Sequence, residues 1–207
     1  MVDKVKSNLT VGSIPGHFYR LAIPMAIGMV FYTLYNMAGI YFAGKLSTNA
    51  QAGIGIGHLV YFFLIAFGFG LNAAMAGLVG NALGERKINE AKLLITKGIS
   101  LAVVISIILM VFGIICGPLV INLVSEVGSY REYSVRYFLI LLSALPAFLI
   151  SYTCNGALQA QGDSVSMQRA LIGAFFLIII ITPILIFGVP NLWLGIGFDG
   201  ISLSVVI

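Results

Sequence analysis

Five stretches of the chain run for a bilayer's width or more without a charged side chain: Leu21 to Gly44, Leu46 to Gly84, Gly98 to Ser125, Tyr137 to Gly162 and Ala170 to Phe198. Each exceeds the roughly 20 residues that cross hydrocarbon as a helix. Their apolar runs are unbroken and lack the in-and-out alternation of a barrel strand, and a backbone in lipid has to satisfy its own hydrogen bonds. The pattern therefore predicts five complete transmembrane helices, over roughly 19–43, 53–82, 97–124, 135–160 and 169–188. A sixth is expected to begin near Gly200.

Two residue types punctuate these spans. Small residues recur four apart at Gly53 and Gly57, Ala73 and Gly77, Ala76 and Gly80, and Gly80 and Gly84. That spacing lets helix backbones approach closely, so the second helix is expected to be an inner one with several neighbours. Prolines fall inside spans at Pro24, Pro118, Pro146 and Pro183. Each removes a backbone donor and crowds the preceding turn, so each is expected to bend or break its helix locally. Bends at Pro24 and Pro183 suit a moving protein, and they suit a static bundle as well.

Composition agrees with the pattern. Hydrophobic residues make up 60% of the chain and charged ones 9%, with a mean hydropathy of +1.07, against about 45–50% apolar and about 25% charged in soluble domains. The fold class is all-α integral membrane. The partner implied is the lipid bilayer. The net charge of +4 comes without a basic cluster or interleaved aromatics, so nucleic acid is not a partner.

Orientation follows from where Lys and Arg lie, because basic loops resist translocation. Lys4, Lys6, Arg20, Arg86, Lys87, Lys92, Lys97 and Arg169 fall on one predicted side, and only Lys45, Arg131 and Arg136 on the other. The N-terminus is predicted to be cytoplasmic. Residues 1–18 read as a cytoplasmic lead-in, without the compact apolar core and cleavage site of a signal peptide. Residues 19–207 read as one transmembrane unit, whose arrest in an apolar helical pattern at Ile207 suggests truncation within helix six.

No zinc-binding His/Glu pair, Ser/His/Asp set or Asp pair sits at intramembrane spacing, which argues against an enzyme. Polar residues do occur within the spans. Tyr32, Asn36 and Gly39 share one face of helix one, with Tyr35 beside them. Asn72 lies on helix two, Asn155 and Gln159 lie one turn apart on helix four, and Thr182 lies on helix five. Such neutral groups can orient a substrate or coordinate Na⁺ weakly through oxygen, but cannot carry a titratable proton. The plainer alternative for each is an interhelical hydrogen bond.

Four stretches carry a family resemblance: LAIPMAIGMVFYTLYNMAGIYFAGKL, AFGFGLNAAMAGLVGNALGERKINEAK, CNGALQAQGDSVSMQ and TPILIFG. In this order and spacing the chain resembles the multidrug and toxic compound extrusion (MATE) transporters, within the wider superfamily of multidrug, oligosaccharide-lipid and polysaccharide exporters. The resemblance implies two six-helix lobes related by a pseudo-twofold axis around a cavity that opens alternately to each side. Five full helices and the start of a sixth would then be most of the N-terminal lobe, with a second six-helix lobe in the same full-length chain. Small-molecule export across the cell (inner) membrane is the implied activity.

The resemblance also exposes departures. Where the family's first helix usually places an aspartate, this chain has Gly39; where its fifth helix usually carries an asparagine and then an aspartate, this chain has Ile178 and Thr182. A membrane carboxylate costs several kcal/mol to bury and is retained to take a proton or cation. Na⁺ or H⁺ remains the expected coupling ion and no other cofactor is implied, but the usual acids of this lobe are absent. The implied cavity residues are Tyr32, Tyr35, Asn36, Gly39, Asn155, Gln159, Ile178 and Thr182, with Pro24 and Pro183 as bending points and no metal site.

The resulting expectation is a secondary active exporter of organic, cationic or amphipathic compounds. Two alternatives stay open: a lipid-linked precursor flippase of the same superfamily, and a truncated, non-transporting membrane fragment.

Overall fold

The computed structural model describes residues 14–125, 128–189 and 193–206; the lead-in up to residue 13 lies outside them. Helix α1 (Ile14–Leu46) is followed at once by α2 (Thr48–Gly84). The join is a single residue, Ser47, whose side-chain oxygen accepts the Ala50 N–H at 3.0 Å. This satisfies one of the donors that every helix start leaves open.

The chain turns from α2 into α3 (Ile88–Val124) through Arg86, which adopts φ 60 in the left-handed region. The Lys87 N–H reaches back to the Ala82 carbonyl at 2.9 Å and the Arg86 N–H to Leu83 at 3.0 Å. This paired closure caps the end of α2, at a position where glycine is the usual occupant. The far end of α3 is held from outside the helix. Arg131 donates through Nε to Ser125 Oγ at 3.1 Å, and through Nη2 to the carbonyls of Asn122 and Ser125.

The fourth predicted span is two helices, α4 (Ser129–Ser143) and α5 (Leu145–Ala160), bent by 54° at Ala144. Pro146 lies in the first turn of α5, where its missing N–H breaks no bond; inside one continuous helix it would have left the Leu142 carbonyl unpaired. The other prolines behave differently. Pro24, Pro118 and Pro183 each lie within a continuous helix.

Helix α6 (Val165–Phe187) ends at Gly188, with φ 77, and the chain then forms a two-residue hairpin absent from the hydropathy reading. Strand β1 (Gly188–Val189) pairs antiparallel with β2 (Trp193–Leu194), Gly188 opposite Leu194. Helix α7 (Phe198–Val206) follows. Among the described residues four helices are long and apolar enough to cross a membrane, five if the bent pair is one span.

Helix α2 is central, packing against α1, α3, α4 and α5. Its first small-residue pair explains one contact. A Cβ on Gly53 would lie 2.5 Å from the Tyr133 Cβ, and one on Gly57 would lie 2.7 Å from the Ser134 carbonyl oxygen, so α4 can approach only because both side chains are missing. The later small residues do not follow suit. Gly77 and Gly84 have nothing within 4 Å of a hypothetical Cβ, and Gly80 meets only the Ala160 Cβ at 4.0 Å. They reflect the general tolerance of membrane helices for glycine.

Helices α2 to α5 form one group around buried Phe138, Leu141, Leu142, Leu145 and Leu149. Helix α1 packs most extensively on α6, and α7 contacts α6, α4 and α1. The outward side of α3 is a continuous apolar surface, with Val104, Ile108, Phe112, Ile115 and Leu119 exposed. A soluble monomer would rarely show such a surface, whereas a lipid-facing helix requires it.

Candidate functional site

The residues singled out on α1 have distinct surroundings. Tyr32 is 41% exposed, Tyr35 and Asn36 are half-buried, and Gly39 is buried. The Asn36 Nδ2 donates to the Tyr32 carbonyl at 2.8 Å. The amide therefore bonds within its own helix and not to a neighbour. Tyr35 does bridge helices, its hydroxyl donating to the Val205 carbonyl at 3.3 Å. Around Gly39 there is room: no heavy atom lies within 4 Å of where a Cβ would stand.

On α6, Ile178 is 2% exposed and Thr182 fully buried. Thr182 Oγ1 donates to Ser204 Oγ at 2.9 Å, and Ser204 passes its own proton to the Ile201 carbonyl at 2.7 Å. Tyr35 and Thr182 are thus both tied to consecutive residues of α7. In this seam Thr182 puts a neutral hydroxyl where the resemblance would place an acid, and it and Tyr35 are each satisfied by a neighbour.

Asn155 and Gln159 belong to the other helix group. Both are half-buried on α5, and Asn155 Oδ1 is a buried acceptor without a hydrogen-bond partner in the protein. Asn72 is an interhelical tie, its Nδ2 donating to the Tyr152 carbonyl at 3.0 Å. No hydrogen bond among the described residues joins Asn155 or Gln159 to α1 or α6.

Sequence reasoning missed three tyrosines. Tyr61 of α2 is 2% exposed and Tyr137 of α4 is buried, while Tyr152 of α5 lies half-buried beside them. The phenols of Tyr61, Tyr137, Tyr152 and Tyr35 all lie within electrostatic reach of Tyr32. Tyr61 Oη has no hydrogen-bond partner. A sequence signal existed, because buried tyrosine usually needs a bonding partner, but which helices face one another had to be known first.

Charge is kept at or near the helix ends. Lys87 pairs with Glu85 at 2.6 Å and Glu90 at 3.7 Å, and Arg136 with Glu132 at 3.8 Å, all exposed and so of small energetic weight. In the α5–α6 turn, the Asp163 carboxylate accepts the N–H groups of Val165 and Ser166 at 3.1 and 2.9 Å and the Ser166 hydroxyl as well. The Ser166 hydroxyl, and then its N–H, hold the Asp163 carboxyl below its ordinary range. An open groove of about 590 Å³ lies at the α2–α3 turn, lined by Arg86 to Glu90. It is a surface feature remote from the polar residues of the spans. Among the described residues no three His, Cys, Asp or Glu side chains gather as metal ligands.

A family model described as MatE matches residues 24–184. The chain belongs to the MatE family. Among its relatives, the probable multidrug resistance protein YoeA of Bacillus subtilis is 24% identical over 189 residues, 89% of this chain and 40% of that protein. The probable multidrug resistance protein NorM of Buchnera aphidicola is 28% identical over 166 residues, 78% of this chain and 36% of its own length. A solved transporter of the superfamily from Pyrococcus furiosus superposes with a TM-score of 0.89 at 23% identity, over 98% of this chain and 44% of that one. The MatE chain thus spans about two-fifths of the length of these relatives, and its fold is that of a single lobe.

Proposed function

We propose that this MatE chain is the N-terminal lobe of a secondary active exporter that moves organic, cationic or amphipathic compounds outward through the cell (inner) membrane by alternating access. Coupling to Na⁺ or H⁺ is assigned to carboxylates of a second six-helix lobe in the full-length chain. One observation carries that assignment: Gly39 and Thr182 stand where the resemblance would place acids and Ile178 where it would place an asparagine, and the charged side chains of the described residues cluster near the helix ends. The names of YoeA and NorM as multidrug resistance proteins support the substrate class.

Movement would use the looser attachment of α1 and α6 to the α2–α5 group. Pro24 and Pro183 lie in these two helices, each leaving the carbonyl four residues earlier without its helical donor. A helix missing one rung bends there at lower cost. The N-terminus is assigned to the cytoplasm on the basic residues of the α2–α3 and α5–α6 turns. A pyrophosphate-bearing lipid would need basic residues clustered within the spans, and nothing described supplies them, so the flippase reading is not favoured.

Ethidium accumulation in an efflux-deficient bacterium expressing the full-length protein tests the proposal. Export should collapse when second-lobe acids are neutralised, and Asn36→Ala should slow it at least threefold while the protein stays folded, since that amide bonds only within α1. Export indifferent to every second-lobe acid would sink the coupling assignment. Unchanged export in the Asn36 variant would remove that residue from the substrate path.

A further inference from the structure

Helix α3 is longer than the hydrocarbon it crosses. Its 37 residues extend about 55 Å at the α-helical rise, against about 30 Å of hydrocarbon and about 40–45 Å with the headgroup layers included. The uncharged run starts only at Gly98, so the segment from Ile88 to Lys97 stands at the level of one membrane surface. One side of that segment, with Ala91, Leu94 and Ile95, packs into the cluster around Met75 and Val79 of α2.

The other side carries a cation in the middle of an apolar stripe. Lys97 is exposed and stands four residues after Leu93 and four before Leu101, both exposed as well. Steps of three and four residues continue the same stripe through exposed Val104 and Ile108. Lys97 is therefore in line with side chains that face lipid. Helical side chains lean toward the helix N-terminus, and a lysine lays its stem along apolar surface with the ammonium in the polar layer. The charge of Lys97 is thus delivered among headgroups, not to the protein.

Nothing described in the lobe neutralises it. The carboxylates of the nearby turn, Glu85 and Glu90, both pair with Lys87. Among the described residues no ion pair holds Arg86, Lys92 or Lys97. Four basic side chains against two acidic ones between Glu85 and Lys97 leave an excess of two positive charges. The Thr96 and Ser100 hydroxyls donate to the Lys92 and Thr96 carbonyls, so they offer the layer only acceptors.

We propose that the start of α3 is a binding surface for an anionic glycerophospholipid, whose phosphodiester meets the Lys97 ammonium while its acyl chains lie along Leu101 and Val104. The charge excess selects the lipid: a zwitterionic headgroup brings an amine of its own to an already cationic surface, and an anionic one does not. Lys92 and Arg86 add longer-range attraction. The contact ties one end of α3 to the membrane surface. It requires only that α3 crosses the bilayer, and it stands whether or not the full-length chain exports.

A bimane on Ser100→Cys, one turn inside Lys97, reads the neighbouring acyl chains in the full-length protein with its other cysteines replaced by alanine. The protein would be reconstituted in mixed phosphatidylcholine and phosphatidylglycerol vesicles, with bromine on the acyl chains of one lipid or the other. Phosphatidylglycerol should be preferred at the probe by roughly three- to fivefold, the scale that one lysine near an anionic surface supplies. Lys97→Gln should abolish most of that preference, Lys97→Arg should keep it, and added salt should weaken it. In vesicles of brominated phosphatidylcholine alone, quenching should be equal in wild type and both variants, which shows the helix folded and still facing lipid.

Equal quenching by the two lipids in wild type, a preference that survives Lys97→Gln, or one lost in Lys97→Arg would each overturn the proposal. Displacement by inorganic phosphate beyond the effect of chloride at equal ionic strength would make this a site for a free anion and refute the lipid. Absence of quenching by either lipid would mean that protein covers this side of α3, which refutes it as well.

Discussion

At Gly39 the chain keeps the space for a side chain without the side chain. The position is buried, yet nothing lies within 4 Å of a hypothetical Cβ. Gly156 is the opposite case, because its Cβ would lie 2.2 Å from the Asn72 carbonyl oxygen. The same substitution should therefore act in opposite directions. Gly39→Ala should stabilise the lobe by about 0.5–1 kcal/mol through helix propensity. Gly156→Ala should destabilise it by about 1–3 kcal/mol by forcing α2 and α5 apart. Thermal unfolding of the two variants in detergent checks the pair, and a shift of the same sign in both would contradict the packing. Sequence reading could identify Gly39 as the place of a missing acid, because spacing along a helix suffices for that. It could not show the room beside Gly39, nor that the Asn36 amide turns back to the Tyr32 carbonyl. A side-chain amide four residues from a carbonyl can bond within its helix or across to another, and rotamer and neighbours decide between them.

At the scale of elements, unbroken apolar runs made the helices legible, since lipid leaves a spanning backbone no other choice. The runs could not show where a span breaks: four prolines looked alike, and among the described residues Pro146 lies at a break between two helices while the other three lie within continuous ones. The hairpin at Gly188 was hidden for a similar reason, because two-residue strands have no periodicity to read. Helix ends were partly visible. The ends of α2 and α5 share one closure, with Asp163 N–H bonded to Leu158 and Gly162 N–H to Gln159, as Lys87 and Arg86 bond to Ala82 and Leu83. One carries Gly162 at φ 78 and the other Arg86 at φ 60, so a glycine signal finds only the first. Asp163 then caps α6, and Asp163→Ala should cost about 1 kcal/mol at neutral pH. Because the folded carboxyl is held below its unfolded value, this contribution is complete above the unfolded pKa, near 4, and fades as pH falls through the lowered native one. Melting curves of wild type and variant should differ at pH 7 and converge toward pH 3. A gap that persisted in acid would mean that the carboxylate is not the source.

For the whole molecule, the paired turns fix which ends lie together. Counting the bent pair as one crossing, the order of the spans puts the α2–α3 and α5–α6 turns on one expected side of the membrane and the α1–α2 junction on the other. Single cysteines at Thr48 and Glu90, read with a membrane-impermeant thiol reagent on whole cells, should give labelling at Thr48→Cys and none at Glu90→Cys. The reverse pattern would invert the assigned orientation. Thr48 is preferred to its neighbour because Ser47 caps α2. The bond from Tyr35 to the Val205 carbonyl spans 170 residues of chain, and this separation has a consequence in time. A ribosome adding about 5–20 residues per second needs on the order of 10–30 s to cover it. Throughout that interval α1 is in the bilayer without the helix that accepts its phenol, and for most of it without α6, its principal packing surface. Helix α1, made before the other helices of the described lobe, is therefore among the last of them to be locked in place, which makes the nascent lobe most vulnerable to quality-control proteases at that segment.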